Sequence, residues 1–504
     1  MRCVIIESME YNIQSQHDKG KLHAIERISV LCDKDSFMEI YSGIRHNCTS
    51  FGMATKDIPY DGVITGFGKI NGRTVAVYAQ DFSVQGGSLG LKHGQKIAEL
   101  IARAIEARCP VIGINDSGGA RIQEGVDSLC GYGELFFQNV RASGSVPQIS
   151  IIAGPCAGGA VYSPGITDFI FTIDSISNLF ITGPKVVKSV MFLDISAEDL
   201  GGAIVHAKKS GVAHFRSENE KDCYEKVRRL LDYIPHAYGE RRLPKPQFRF
   251  NAHKKQKDIA HVLPENARQG YDVRLIIHAT VDDDSFFETS AEFAVNCVTG
   301  FAQIEGQSVG IIANNPAGVG GVLDSDASDK IARFVRYCDA YDVPLVTFVD
   351  VPGFIPGPQE EQKGIIRHGA KVIYAYCEAT VPKITVIVRK AYGGAYIAMC
   401  SKHLGADYVY AWPQAEIAVM GAEGAIGILY AKEMNDPAKA AELAAAAEKY
   451  KNEIMSPAIA AQRGYISEII APDKTRHYVA HSLHFLMDKR SADRPPKKHG
   501  NIPL

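Results

Sequence analysis

The chain has 504 residues, of which 46% are hydrophobic and 22% charged, with a formal net charge of −2. That length exceeds one ordinary hydrophobic core and predicts two domains in a globular protein. The near-neutral balance gives no electrostatic reason for a nucleic-acid or membrane partner, and no apolar run approaches the roughly 18 residues of a membrane span.

At the start, MRCVIIESMEYNIQ lacks the apolar stretch and cleavage site of a secretory signal, so a cytoplasmic location is expected. The eleven cysteines, Cys3 to Cys400, include no Cys-x-x-Cys pair. That disfavours a zinc ribbon and predicts reduced, mostly core thiols. Next comes a predicted hairpin, TGFGKINGRTVAV (65–77), turning at Asn71-Gly72. A helix follows, with Ile97, Leu100, Ile101 and Ala104 at helical spacing. Then come a buried strand, PVIGIND (110–116), and a second one, PQISIIAGPCAGGA (147–160), that runs into a glycine pair.

The same order then recurs. A shift of 234 residues carries Thr65, Gly66, Phe67, Ile70, Gly72 and Val75 onto identical residues in TGFAQIEGQSVGI (299–311). Ile331, Phe334, Val335 and Cys338 repeat the helix face, PLVTFVD (344–350) the buried strand, and PKITVIVRKAYGGA (382–395) the strand into glycine. The basic stretch RRLPKPQFRFNAHKKQK (241–257) reads as a linker. Two homologous α/β domains, at 1–245 and 255–504, are predicted.

Four glycine-rich junctions end these strands: Ser117-Gly118-Gly119-Ala120-Arg121 and Gly158-Gly159-Ala160 in the first copy, Pro352-Gly353-Phe354 and Gly393-Gly394-Ala395 in the second. Backbone N–H groups at such junctions can face a developing negative charge and form an oxyanion hole. Glycine there also has a purely structural use, permitting tight turns and close packing. No G-x-x-x-x-G-K-[ST] loop, dinucleotide fingerprint or G-x-S-x-G elbow is present. His93, His206, His368 and His403 are isolated and read as surface or packing histidines.

At these residues the chain resembles the carboxyltransferase β-subunits of propionyl-CoA and related acyl-CoA carboxylases, and equally those of methylmalonyl-CoA decarboxylase and transcarboxylase. The matching pieces include KGKLHAIERI (19–28), SGGARIQEG (117–125), CAGGAVYSP (156–164), VDVPGFIPGPQEEQKGIIRHGAK (349–371) and KAYGGAYIAM (390–399). The resemblance implies two crotonase-like domains of stacked β-β-α turns, the first for acyl-CoA and the second for biotin. It implies an active site shared between subunits, and hence a dimer-based hexamer. Gly119, Ala120, Gly158 and Gly159 would hold a thioester enolate; Phe354, Gly394 and Ala395 would polarise the biotin ureido oxygen. Gly86, Gly87, Ser88, Gly118, Arg121, Tyr396 and Ile397 would line the substrates.

The implied reaction moves a carboxyl group, as CO2, between carboxybiotin and the α-carbon of acetyl-, propionyl- or methylmalonyl-CoA. No Met-Lys-Met biotinylation site or ATP-binding signature is found. A separate biotin carrier protein, with a biotin carboxylase or a membrane decarboxylase subunit, is therefore expected as partner, and no metal. Two departures stand out. The family's Ala-Arg-Glu-Arg is Ala24-Ile25-Glu26-Arg27, and Ile397 replaces an aspartate common in propionyl-CoA carboxylases, which resembles decarboxylase and acetyl-type members. Rival readings are the reverse, decarboxylating direction, a crotonase-type hydratase or isomerase using Glu124 and Glu134, and a non-catalytic acyl-CoA scaffold.

Overall fold

The computed structural model describes residues 13–240, 259–489, 497 and 499–504. The expected linker and Cys3 lie outside them. The chain divides into two compact units, Met1–Glu240 and Arg241–Leu504.

The first unit carries one mixed sheet built from β1 (Met38–Ile40), β2 (Val63–Ile70), β3 (Arg73–Gln80), β4 (Val111–Ser117), β5 (Gln148–Ala157), β6 (Phe169–Ile173), β7 (Asn178–Phe180) and β8 (Phe215–Ser217). The order is β1-β2-β3-β4-β5-β6-β8, with β7 beside the end of β5. Pairing is antiparallel from β1 to β3 and parallel from there on. The second unit repeats the plan with β9 (Phe287–Thr289), β10 (Cys297–Ile304), β11 (Gln307–Asn314), β12 (Leu345–Val351), β13 (Lys383–Tyr392), β14 (Tyr408–Ala411), β15 (Glu416–Ala418) and β16 (Glu468–Ile469). Its order is β16-β14-β13-β12-β11-β10-β9, with β15 beside β13.

Four helices of the first unit and four of the second position the loops and the core. They are α1 (Ala24–Leu31), α2 (Leu91–Ala107), α3 (Val126–Ala142), α4 (Glu220–Leu231), α5 (Ser325–Ala340), α6 (Ile365–Glu378), α7 (Gly393–Ala398) and α8 (Thr475–Phe485). Ile97, Leu100, Ile101 and Ala104 of α2 are all buried, packed with Val63, Ala76, Val111 and Ile152 of the sheet. Burial of each Ile or Leu contributes about 1.5–3 kcal/mol. On α5, Ile331, Phe334, Val335 and Cys338 are buried likewise.

The predicted hairpins are built the same way in both copies. Asn71 and Gly72 have φ of 51° and 76°, and Glu305 and Gly306 have 56° and 76°, the all-positive geometry that suits a two-residue hairpin turn. An aspartate accepts both turn N–H groups each time. Asp33 takes Asn71 at 3.1 Å and Gly72 at 2.8 Å, and Asp282 takes Glu305 at 3.0 Å and Gly306 at 2.8 Å. Each aspartate is held by an arginine from a late helix, Arg228 of α4 at 3.2 Å and Arg476 of α8 at 2.5 Å.

Candidate functional site

In the first copy the loop leaving β4 is stitched to the segment Val84–Leu89. Gly118 N–H donates to Gly86 O at 2.9 Å, Ser117 Oγ to Gly87 O at 2.6 Å, and Leu89 N–H to Gly119 O at 2.9 Å. Arg121 N–H then donates to Leu89 O at 2.9 Å, closing a bridge between Leu89 and Ala120. That pattern turns the Ala120 N–H away from its neighbour, and among the described residues it meets no acceptor. The backbone at Gly119 has φ of 103°, a conformation side chains rarely adopt. Its own N–H donates to Ser117 Oγ at 3.2 Å. The Gly119 N–H is thus engaged within the loop, whereas the Ala120 N–H is unpartnered among the described residues.

The second copy reproduces the bridge. Leu323 N–H donates to Gly353 O at 3.0 Å and Ile355 N–H to Leu323 O at 2.8 Å, leaving the Phe354 N–H without an acceptor among the described residues. Gly353 has φ of 150°. Beside each bridge stands the second glycine junction. After β5 the chain enters a 3₁₀ turn over Gly158–Val161, and after β13 it enters α7. Gly158 and Gly393 match, with φ of 61° and 58°. The first-turn N–H groups of Gly159, Gly394 and Ala395 have no partner inside their helices.

The two copies fill the space around these donors differently. Residue 120 is alanine, and the aromatic ring comes from α3: a Cβ on Gly159 would stand 3.1 Å from the Tyr132 ring. In the second copy the ring comes from the loop itself, Phe354, and the helix provides room with a glycine, Gly369, whose added Cβ would be 2.9 Å from that ring. Gly394 faces open space, with no atom within 4 Å of a Cβ there. Next to it, Ile397 is 40% exposed, and the buried Tyr396 hydroxyl lacks a partner among the described residues.

Buried charges fix the loops. Asp116, just before the first junction, meets Lys21 at 2.6 Å and Arg27 at 2.9 Å. Burial pushes its carboxyl up, and the two cations pull the other way. Arg27, on α1, also binds Ala153 O at 2.6 Å and Glu220 at 3.0 Å. Asp350 is the counterpart, but its cation, Arg389 at 2.8 Å, comes from β13 itself. At the matching place in β5 stands Gly154, where a Cβ would collide with the Asp116 carboxylate. Sequence reading missed these residues, although the Gly154–Arg389 mismatch lies in plain view in the aligned strands.

Arg121 is 1% exposed, bound to Asp61 at 2.5 Å, Glu124 at 2.8 Å and Ser88 O at 2.8 Å. Its charge is engaged within the loop by these partners. Glu124 in turn caps α2 by accepting Leu91 N–H at 2.7 Å, as Glu360 caps α5 through Ser325 N–H at 2.9 Å. Glu124 is thereby engaged structurally, which removes one of the two glutamates a hydratase reading needs. Gly86 is open on its Cβ side, whereas a Cβ on Gly87 would stand against Asp116 O.

His93 is buried against Asp61 O at 2.8 Å and held well below the ordinary imidazole pKa, first by burial and then by Arg121. His206 and His368 bind Leu179 O and Asp329 at 2.9 Å each. Among the described residues no group of three or more His, Cys, Asp or Glu is arranged around a metal, and no helix is long and apolar enough to cross a membrane.

Comparison with known proteins agrees with this geometry. The carboxyl transferase domain family matches residues 15–502. The chain is 51% identical over 495 residues to methylmalonyl-CoA decarboxylase subunit alpha of Veillonella parvula, covering 98% of this chain and 96% of that one. It is 49% identical over 505 residues to the mitochondrial propionyl-CoA carboxylase beta chain of Homo sapiens, covering 100% and 92%. The solved structure of transcarboxylase 12S, a hexamer with methylmalonyl-coenzyme A bound, superposes with a TM-score of 0.93 at 48% identity, covering 98% and 95%. The chain belongs to the carboxyl transferase domain family: it is an acyl-CoA carboxyltransferase built from two crotonase-like copies.

Proposed function

We propose that this chain moves a carboxyl group between biotin on a separate carrier protein and the α-carbon of a short acyl-CoA, with the first copy serving the thioester and the second serving biotin. The observation that carries the reading is the matched pair of unpartnered backbone donors at Ala120 and Phe354, each beside a glycine junction. Two oxyanions form in such a transfer, one on each partner, and one hole for each accounts for the duplication.

On the thioester side, Ala120 with Gly158 and Gly159 would hold the negative charge that develops on the thioester oxygen as the α-carbon becomes a nucleophile. The rim is formed by Gly86, Gly87, Ser88 and Gly118. On the other side, the exposed Gly394 has the free volume that a ring needs to approach backbone donors, so the residues fit biotin. Bound biotin supplies the ureido nitrogen that carries the carboxyl group. Phe354, Gly394 and Ala395 would hold charge on the ureido oxygen, and Tyr396 and Ile397 would shape the wall beside it, where the acyl chain approaches biotin. None of these roles needs an ionisable side chain. Fixed donors cost no reorganisation during reaction, which is why rigid loop clamps matter.

The partners proposed are a biotinylated carrier and either a biotin carboxylase or membrane decarboxylase subunits. A dimer-based hexamer is proposed by likeness to transcarboxylase 12S. Val126, Leu129, Phe137 and Val140 along α3 are exposed and suit a subunit contact. The reading is tested by mixing the chain with biotinylated carrier and a panel of acetyl-, propionyl-, malonyl- and methylmalonyl-CoA, and following a labelled carboxyl group. Exchange with at least one CoA pair is expected. A well-folded chain that exchanges with none would overturn it.

A further inference from the structure

We propose that His477 and His481 form a surface binding site for a divalent transition-metal ion of the zinc, copper or nickel class. Both lie on α8, four residues apart and hence one turn apart on the same face, and both are exposed. Their ring centroids are 4.1 Å apart. Two imidazole nitrogens bound to one such ion, each at roughly 2.0–2.1 Å, stand about 3 Å apart. Rings at this separation meet that demand with small side-chain rotations.

The hydrogen bonding sets up the ligand atoms. His481 Nδ1 lies 2.9 Å from His477 O. A carbonyl oxygen only accepts, so Nδ1 carries the proton and Nε2 is left with its lone pair outward.

The helix beneath is anchored. Arg476 binds Asp282 at 2.5 Å, and Trp412 Nε1 donates to Thr475 Oγ1 at 2.9 Å. The pair is thus presented from a fixed support, which favours chelation over a floppy contact. Since no third side chain completes the set among the described residues, the ion keeps water in its other positions. The site departs from the expectation that the chain holds no metal, and it lies outside both glycine junctions. It binds an ion without entering the reaction, and a bound ion clips two turns of α8 together.

The test uses the full chain after chelator treatment, titrated with Zn²⁺, Ni²⁺ and Cu²⁺ by calorimetry and in thermal melts, with Mg²⁺ as the hard-cation control. His477→Gln, His481→Gln and the double variant are compared with the parent, after matching melts in the absence of metal. The parent should bind one equivalent more than every variant and gain melting temperature with rising metal, as expected of a ligand that binds only the folded state. Mg²⁺ should do nothing, and carboxyl transfer by the metal-free variants should stay within about twofold of the parent. Equal stoichiometry in parent and double variant would overturn the site. So would full binding by either single variant, because one imidazole would then suffice.

Discussion

The Tyr132 ring lies 3.1 Å from the point where a Cβ on Gly159 would stand, whereas the corresponding point on Gly394 has no neighbour within 4 Å. Equivalent substitutions in the two copies should therefore differ in stability. Gly159→Val overpacks the Tyr132 face and should cost about 1–3 kcal/mol. Gly394→Val meets open space and should stay within about 0.5 kcal/mol. Urea unfolding measures both, and equal costs would show that the two junctions are not packed as described.

Arg27 joins Asp116, Glu220 and the Ala153 carbonyl in a buried cluster. Arg27→Met leaves two buried carboxylates short of a partner, and breaking such a pair costs about 3–5 kcal/mol. A chemical-denaturation difference below about 1 kcal/mol would remove Arg27 as the clamp of the first junction.

Glu360 accepts from both Ser325 N–H and Oγ and pairs with Lys363 at 2.9 Å. Burial works upward on its pKa, but these partners bring it down to about 2. Because the folded pKa lies below the ordinary value of roughly 4.3, its contribution is complete above about pH 5 and is lost as pH falls toward 2. Glu360→Gln should flatten that part of the stability–pH curve and cost about 1.5–3 kcal/mol at neutral pH, the range for a hydrogen bond to a charged group. An unchanged acid slope would contradict the capping role.

Ile397, half exposed beside Gly394 and Ala395, is expected to influence acyl-chain choice. Ile397→Asp puts a charge on that wall and should change the ratio of acetyl-CoA to propionyl-CoA activity by about tenfold, the scale on which pocket shape discriminates a methylene. A constant ratio would show that Ile397 is not a selector.

Much of the architecture was legible because the chain repeats itself. The constant offset located hairpins, helices and buried strands in pairs, and the glycine junctions followed from their ends. What stayed hidden depends on long-range pairing. Lys21 and Arg27 meet Asp116 from 95 and 89 residues away, and Arg27 meets Glu220 across 193. No local pattern signals such contacts. The pairing of Arg121 with Asp61, 60 residues away, was hidden for the same reason. The exchange of Ala120 and Tyr132 for Phe354 and Gly369 was likewise invisible, since the compensating residues sit on different elements.

The central claim is that each copy serves one partner, and paired lesions at exposed glycines test it most directly. Gly118 is exposed at the rim of the first junction, with only Gly86 O near its added Cβ at 3.4 Å, and Gly394 is the open glycine of the second. The measurement is transfer of a labelled carboxyl group from methylmalonyl-CoA to free biotin, with each substrate varied in turn and acyl-CoA affinity determined by calorimetry. Gly394→Val should leave the acyl-CoA Kd within about twofold and raise the KM for biotin or lower kcat by about 10²–10³, the cost of losing one oxyanion donor. Gly118→Val should weaken acyl-CoA binding while leaving the KM for biotin near its parent value. If two folded variants show the same pattern, with both substrates affected alike, the division of labour between the copies is wrong.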